Sequence, residues 1–267
     1  MHKDLVLRAK KSFGQHFLIN QHAAQQIVDA LDLGNGVSNV LEIGPGKGVL
    51  THLLLEKDIN LKVVEADRDM VSHLSQSLSM AEEDIIFLDF LKLKLSKVFE
   101  ETPFLMIGNY PYNISSQIVF KMLKYKELIP QMVGMFQREV AERIVAPHGS
   151  KTYGVISVLV QAYYTGKIIL KVSPGSFSPP PKVQSAVIKL TRKENLDLGC
   201  DEKLFRRVVK ASFNQRRKML RNSLKPLISD SSLFGNKIFN QRPEQLSLEQ
   251  FIELTTLIEE NTETHES

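Results

Sequence analysis

The segment Asn39-Val-Leu-Glu-Ile43 runs straight into Gly44-Pro-Gly-Lys-Gly48 and then into an apolar helical pattern through Leu50, Leu53 and Leu54. A short apolar strand that turns on glycines into a helix needs a parallel sheet to bury it, and few folds offer one. Strand-like segments recur at Leu61-Lys-Val-Val-Glu-Ala66, Asp84-Ile-Ile-Phe-Leu88, Pro103-Phe-Leu-Met-Ile107 and Gln131-Met-Val-Gly-Met-Phe136, mostly with helix-length segments between them. An α/β fold is therefore expected, its mostly parallel sheet covered on both faces. Ahead of it, Ala23, Ala24, Ile27, Val28 and Leu31 keep helical spacing and end at Gly34 and Gly36.

The region beyond differs. Val155 to Tyr164 is apolar and has the length of a buried helix. Gly166-Lys-Ile-Ile-Leu-Lys-Val172 and Gln184-Ser-Ala-Val-Ile-Lys-Leu190 read as strands joined by a proline-rich link from Ser173 to Lys182. That link has no room for a crossover helix, so the two are expected to be antiparallel and to close the sheet as a hairpin-like edge. From about Asn195 the pattern is helical and polar. The expected division is a domain of residues 1–195 and a smaller helical one of residues 196–267.

With 43% apolar and 24% charged residues the chain is globular rather than disordered or fibrous. It has no apolar run long enough to span a bilayer, no secretory leader, and a single cysteine, Cys200, which can make no internal disulfide. A soluble protein of the reducing cytoplasm is expected. The net charge of +4 conceals segregation: Arg206 to Lys225 holds eight basic residues and no acid, whereas Pro243 to Ser267 holds seven glutamates and no Lys or Arg. A solvated helical face would explain a charge run seen alone. Here Arg206, Lys210, Asn214, Arg217 and Arg221 follow spacings of four, four, three and four, so one continuous helix would set them in a stripe facing a polyanion.

The glycine turn lets the backbone approach a ligand closely, with helix N–H groups beside it. It is not a P-loop, because Gly rather than Ser or Thr follows Lys47. Alone, such a turn serves packing as often as binding. Glu65 closes the second strand of this series, where a carboxylate accepts ribose hydroxyls; Asp89 closes the third and Asn109 follows the fourth. In a parallel sheet these ends line one crevice. Asp67, Arg68 and Asp69 read as an exposed helix start. Dinucleotide dehydrogenases share the first two features, but they have no need for the residues that come after the fourth strand.

Gly108-Asn-Tyr-Pro-Tyr112 resembles the signature of S-adenosylmethionine-dependent methyltransferases acting on adenine N6. The exocyclic amine of adenine is a poor nucleophile because its lone pair is delocalised. The Asn109 side-chain oxygen and the Tyr110 carbonyl can accept its two N–H bonds and favour a pyramidal nitrogen. Tyr112 offers a surface on which the extruded base stacks, and Phe177, in the loop Phe177-Ser-Pro-Pro-Pro-Lys-Val183, offers a second.

Lys11-Ser-Phe-Gly-Gln-His-Phe-Leu18, Glu42-Ile-Gly-Pro-Gly46, Gln137-Arg-Glu-Val-Ala-Glu-Arg143 and Gly149-Ser-Lys-Thr-Tyr-Gly154 extend the likeness along the chain, which resembles the ribosomal RNA adenine dimethyltransferases. Phe213-Asn-Gln-Arg-Arg-Lys-Met-Leu-Arg-Asn222 is similar to the branch that modifies the small subunit. The resemblance implies a class I methyltransferase fold: a Rossmann-like seven-stranded sheet, mostly parallel with an antiparallel edge, plus a small all-α C-terminal domain. It implies S-adenosyl-L-methionine as cofactor, held by His16, Leu18, Gly44, Glu65, Asp89 and Asn109, and catalysis through Asn109, Tyr110, Tyr112 and Phe177. It further implies dimethylation of two adjacent adenosines in the 3′-terminal hairpin loop of small-subunit rRNA, within the immature 30S particle, by a monomer. Arg206, Lys210, Arg216, Arg217, Lys218 and Arg221 would contact the RNA. Tyr110 replaces the leucine more usual at its position, and His16 stands where asparagine is common. No His, Cys or carboxylate cluster accompanies His16, so no metal site is expected. A large-subunit enzyme of the antibiotic-resistance type and a non-catalytic nucleic-acid-binding relative are the alternatives.

Overall fold

Strands β2 (Asn39–Ile43), β3 (Asn60–Glu65), β4 (Ile85–Phe87), β5 (Leu105–Asn109) and β6 (Gln131–Gln137) pair in parallel, as β4–β3, β3–β2, β2–β5 and β5–β6. They belong to a computed structural model that describes residues 14–34, 36–78, 80–228 and 230–263. The first three residues of the Lys11-to-Leu18 segment lie outside the described residues. A two-residue strand, β1 (Phe17–Leu18), and helix α1 (Gln21–Asp29) precede the sheet. Helices α2 (Val49–Leu55), α3 (Arg68–Ser77) and α4 (Ser115–Lys124) connect its strands. β2, β5 and β6 are buried almost throughout, as strands covered on both faces must be.

After β6 the chain forms α5 (Arg138–Ile144), α6 (Val155–Tyr163), β7 (Tyr164–Val172), the short β8 (Phe177–Ser178) and β9 (Ser185–Arg192). The sheet order is β4-β3-β2-β5-β6-β9-β7. The antiparallel element is present with one difference from the hairpin-edge reading: β9 lies inside, antiparallel to β6 along its whole length, and β7 takes the edge. Composition explains the exchange. Ala186, Val187, Ile188 and Leu190 of β9 are buried, whereas Lys167 and Lys171 of β7 are exposed and suit an edge. β1 and β8 form a separate antiparallel ribbon, Leu18 opposite Phe177, which the proline-rich link did not suggest.

The chain divides into two compact units: residues up to 141 with 166–192, and residues 142–165 with those from 193 onward. The excursion of residues 142–165 has no counterpart in a division at 195/196. The second unit contains α6, α7 (Glu202–Asn214), α8 (Leu220–Ser223) and α9 (Leu248–Glu263). Phe205, Val208, Val209, Phe251 and Leu254 fill its core, and the Phe213 ring sits 6.0 Å from Tyr153 and 5.9 Å from Phe251. Asp201 caps α7 by accepting the Leu204 N–H.

The basic stripe requires correction. α7 ends at Asn214, and Gln215 leaves helical geometry at φ −125° and ψ 54°, so Arg217 and Arg221 do not continue the face of Arg206 and Lys210. Acids outside the basic window also reach into it. Arg206 lies 3.7 Å from Glu202, and Arg216 lies 4.0 Å from Glu244 while donating to the Ser150 and Lys151 carbonyls. Arg221 donates to Asn240. Among the described residues no helix is long and apolar enough to cross a membrane.

In the first unit, Tyr110 is 1% exposed, and its ring fills a slot made by two glycines on neighbouring strands. A Cβ at Gly134 would overlap Tyr110 Cε2, and one at Gly108 would come within 2.7 Å of Cε1. Gly134→Ala should therefore lower stability by about 1–3 kcal/mol through overpacking. Combining it with Tyr110→Leu should recover most of that loss, read as the midpoint of thermal or urea unfolding.

Candidate active site

The carboxyl ends of β2, β3 and β5 open on one side of the sheet, where a parallel α/β fold leaves a crevice. β2 ends in the glycine turn, whose Gly44 and Gly46 adopt φ +64° and +57°, a region that L side chains rarely occupy. A Cβ at Gly46 would also press within 3.1 Å of the Phe17 ring. A cavity of about 260 Å³ lies here, walled by Gly14–Leu18, the glycine turn, the end of β3, residues 88–90 and residues 109–114.

Glu65, at the end of β3, is 7% exposed and holds three backbone N–H groups. Oε2 accepts from Gly46 at 3.2 Å, and Oε1 accepts from Ala66 at 2.8 Å and Asp67 at 2.9 Å. Burial raises its pKa, and these hydrogen bonds oppose the rise. Asp67 caps α3 through the Asp69 N–H and accepts from Gln15 Nε2 at 3.1 Å. The helix-start reading of Asp67 holds, but the side chain is 1% exposed, because the segment carrying Gln15 covers it. Asp89 lies two residues beyond β4, and its Oδ1 accepts from Leu91 at 2.9 Å.

Asn109 is the last residue of β5, and its Nδ2 donates to the His16 carbonyl at 2.9 Å. That bond fixes which end of the amide is which and leaves Oδ1 as its acceptor. Tyr112 Oη lies 2.6 Å from Ser185 Oγ, and burial pushes the phenol's pKa up. The His16 ring stacks on Tyr112 at 5.5 Å between centroids and 28° between planes, and its Nδ1 lies 2.9 Å from the Pro179 carbonyl.

His16, Leu18, Gly44, Glu65, Asp89, Asn109, Tyr110 and Tyr112 thus all meet at one cavity. Phe177 is not on its wall: its ring is 3% exposed in the core cluster, opposite Leu18 in the small ribbon. Sequence reasoning missed Gln15, Phe90 and Glu42 as wall residues. For Glu42 a signal existed, since an acid stands among the apolar residues of a strand buried on both faces. It is 1% exposed and accepts from Thr51 Oγ at 2.7 Å; burial, helped by the nearby Glu65 carboxylate, pushes its pKa up to about 8. An acid whose folded pKa lies above its unfolded value costs stability as pH rises from the unfolded value through the folded one. Glu42→Gln should therefore stabilise the protein at pH 9 and change little at pH 4, measured by urea denaturation at both.

A glycine turn against a buried carboxylate on the next strand, an acid beyond the third and Asn-x-Pro-Tyr after the fourth define a class I S-adenosylmethionine-dependent methyltransferase. The cavity fits that cofactor: Glu65 faces it beside backbone that approaches closely at Gly44 and Gly46, and Asp89 keeps a carboxylate oxygen beyond its turn bond. The profile described as "Ribosomal RNA adenine dimethylase" matches residues 6–260, and the chain belongs to that family of enzymes. It is similar to Ribosomal RNA small subunit methyltransferase A of Parabacteroides distasonis, 55% identical over 259 residues, and of Bacteroides thetaiotaomicron, 53% over 260; each match covers 97% of both chains. Among solved structures, a dimethyladenosine transferase from Plasmodium falciparum superposes with a TM-score of 0.76 at 25% identity over 93% of this chain and 98% of that one. The 23S rRNA methyltransferase ErmE shares the fold, with a TM-score of 0.66 at 23% identity over 90% and 99%.

Proposed function

We propose that this enzyme dimethylates N6 of two adjacent adenosines in the 3′-terminal hairpin loop of small-subunit rRNA, as a monomer acting in the cytoplasm on the immature 30S particle. The observation that carries the reading is the orientation of Asn109. With Nδ2 committed to the His16 carbonyl, Oδ1 is the atom available to accept from an adenine amine. The names of the relatives, small-subunit methyltransferases at 53–55% identity over nearly the whole chain, support the choice of RNA over the large-subunit alternative.

S-adenosylmethionine, when bound, supplies an electrophilic methyl group. Glu65 accepts the ribose hydroxyls, Asp89 the adenine amine of the cofactor, and backbone at Gly44, His16 and Leu18 encloses the rest. Asn109 Oδ1 and the Tyr110 carbonyl accept the two N–H bonds of the target amine and turn its lone pair out of conjugation. The buried Tyr110 ring anchors that carbonyl, with its own N–H bonded to Met135 at 3.1 Å. No general base is needed before transfer, since the proton leaves an acidic ammonium afterwards. Tyr112, steadied by Ser185, provides the stacking surface. Phe177 supports the wall from beneath by holding Leu18 in the ribbon, and its ring reaches a base only by leaving that place.

The second unit would read the RNA. Lys210, Arg217 and Lys218 are exposed there, while Arg206, Arg216 and Arg221 divide their donors between phosphates and their intramolecular partners, Glu202, the Ser150–Lys151 backbone with Glu244, and Asn240.

Incubation with labelled cofactor and either immature small subunits, mature rRNA or DNA, followed by mapping of the modified base, tests the reading; methyl groups found anywhere but on small-subunit adenine N6 overturn it. Asn109→Ala should abolish transfer while calorimetry still detects cofactor binding. Lys210→Glu with Arg217→Glu should weaken RNA binding and reduce the slope of log affinity against log salt by about one for each lost phosphate contact. Cofactor affinity should stay unchanged.

A further inference from the structure

His16 ties three segments together. Its carbonyl holds Asn109, its ring Nδ1 meets the Pro179 carbonyl, and its ring lies on Tyr112, the surface on which the target base is to stack. Both residues line the same cavity, so a base that enters it meets the imidazole against the Tyr112 ring. Stacked bases repeat about every 3.4 Å, so a base held between two rings needs them about 7 Å apart. The observed 5.5 Å leaves no such room. A base that stacks on this face of Tyr112 must first remove the imidazole.

We propose that the His16 side chain is a plug: it occupies the stacking place of the target adenine in the substrate-free enzyme and is displaced when the base enters. This deepens the proposed function, since it rests on Tyr112 as the stacking surface. Displacement breaks the ring contact and the bond to Pro179 but spares the carbonyl that orients Asn109, because that bond belongs to the backbone. The ribbon of β1 with β8 still joins the N-terminal segment to the loop before β9, so only the side chain moves. A base must outcompete the imidazole to enter, and this favours adenine, which stacks strongly, over pyrimidines that stack weakly.

Two measurements test the plug. In the free protein, the His16 ring protons should be shifted by the Tyr112 ring current in proton NMR, and Tyr112→Leu should return them to ordinary values; signals unmoved by that substitution overturn the stack without reference to any reaction. The second uses a hairpin carrying 2-aminopurine at the target position, whose fluorescence reports extrusion and stacking. A competent state populated one time in ten lowers apparent affinity about tenfold, so His16→Ala should tighten binding by a factor of up to about ten. His16→Asn, which also lacks a ring but retains a side-chain donor for Pro179, should do the same if the alanine variant folds poorly. In the Tyr112→Leu background neither substitution should help, since no stack remains to relieve.

Equal or weaker binding by both ringless variants, or a gain that persists without Tyr112, overturns the plug. Cofactor affinity, followed by calorimetry in every variant, separates this from a general disturbance of the site. Wild-type protein that methylates none of the RNAs, while its ringless variants still bind the hairpin more tightly, would sink the proposed function and leave the plug standing.

Discussion

The carboxylate of Glu65 gathers the N–H groups of Gly46, Ala66 and Asp67 around one buried side chain. Through it the turn after β2, the end of β3 and the start of α3 become a single rim, although they come from three separate elements. A carboxylate satisfied by several backbone donors is costly to disturb, because each freed N–H would be left buried without a partner. The Glu65 bond holds Gly46 at its positive φ, Gly44 donates instead to the Val64 carbonyl at 2.9 Å, and the Phe17 ring closes over the turn because no Cβ stands at Gly46. One acid thus joins the glycine turn to the end of β3 and the start of α3.

The substrate side is built differently. Asn109 ends β5, yet its useful orientation comes from a backbone carbonyl supplied by the N-terminal segment, and Tyr112 is steadied by a serine at the start of β9. Between them the Tyr110 ring turns inward, into a slot that exists because Gly108 and Gly134 carry no side chains. One four-residue turn thus alternates a polar group at the cavity, an anchor for the core and a second ring at the cavity. The Tyr110 hydroxyl is buried without a hydrogen-bond partner, a cost accepted for filling the slot.

Much of this was legible in the order of residues. The parallel strands and the convergence of Glu65, Asp89 and Asn109 follow from spacing, because strand ends in such a sheet share one crevice whatever the details of packing. Three features escaped. The inner position of β9 depends on comparing two strands of unequal polarity rather than on the length of the link between them. The basic stripe assumed a helix through Gln215, where the backbone leaves helical geometry, and no periodicity of charge announces a helix end. The burial of Phe177 and the stacking of His16 on Tyr112 arise from a two-residue ribbon, β1 with β8, whose members lie far apart in the chain and share no local signal.

The reversed direction of β9 has a geometric outcome. Its first residue, Ser185, pairs with Gln137, the last residue of β6, so this strand begins where the parallel strands finish. A parallel strand in that place would have delivered its far end to the cavity and consumed its preceding loop on the opposite side of the sheet. The reversal instead leads the chain into β9 from the cavity's side of the sheet, where Phe177 pairs with Leu18 and the Pro179 carbonyl meets the His16 ring. Since Leu18 and His16 line the cavity, a change of length in the loop before β9 would be felt at the wall of the site rather than absorbed at the surface.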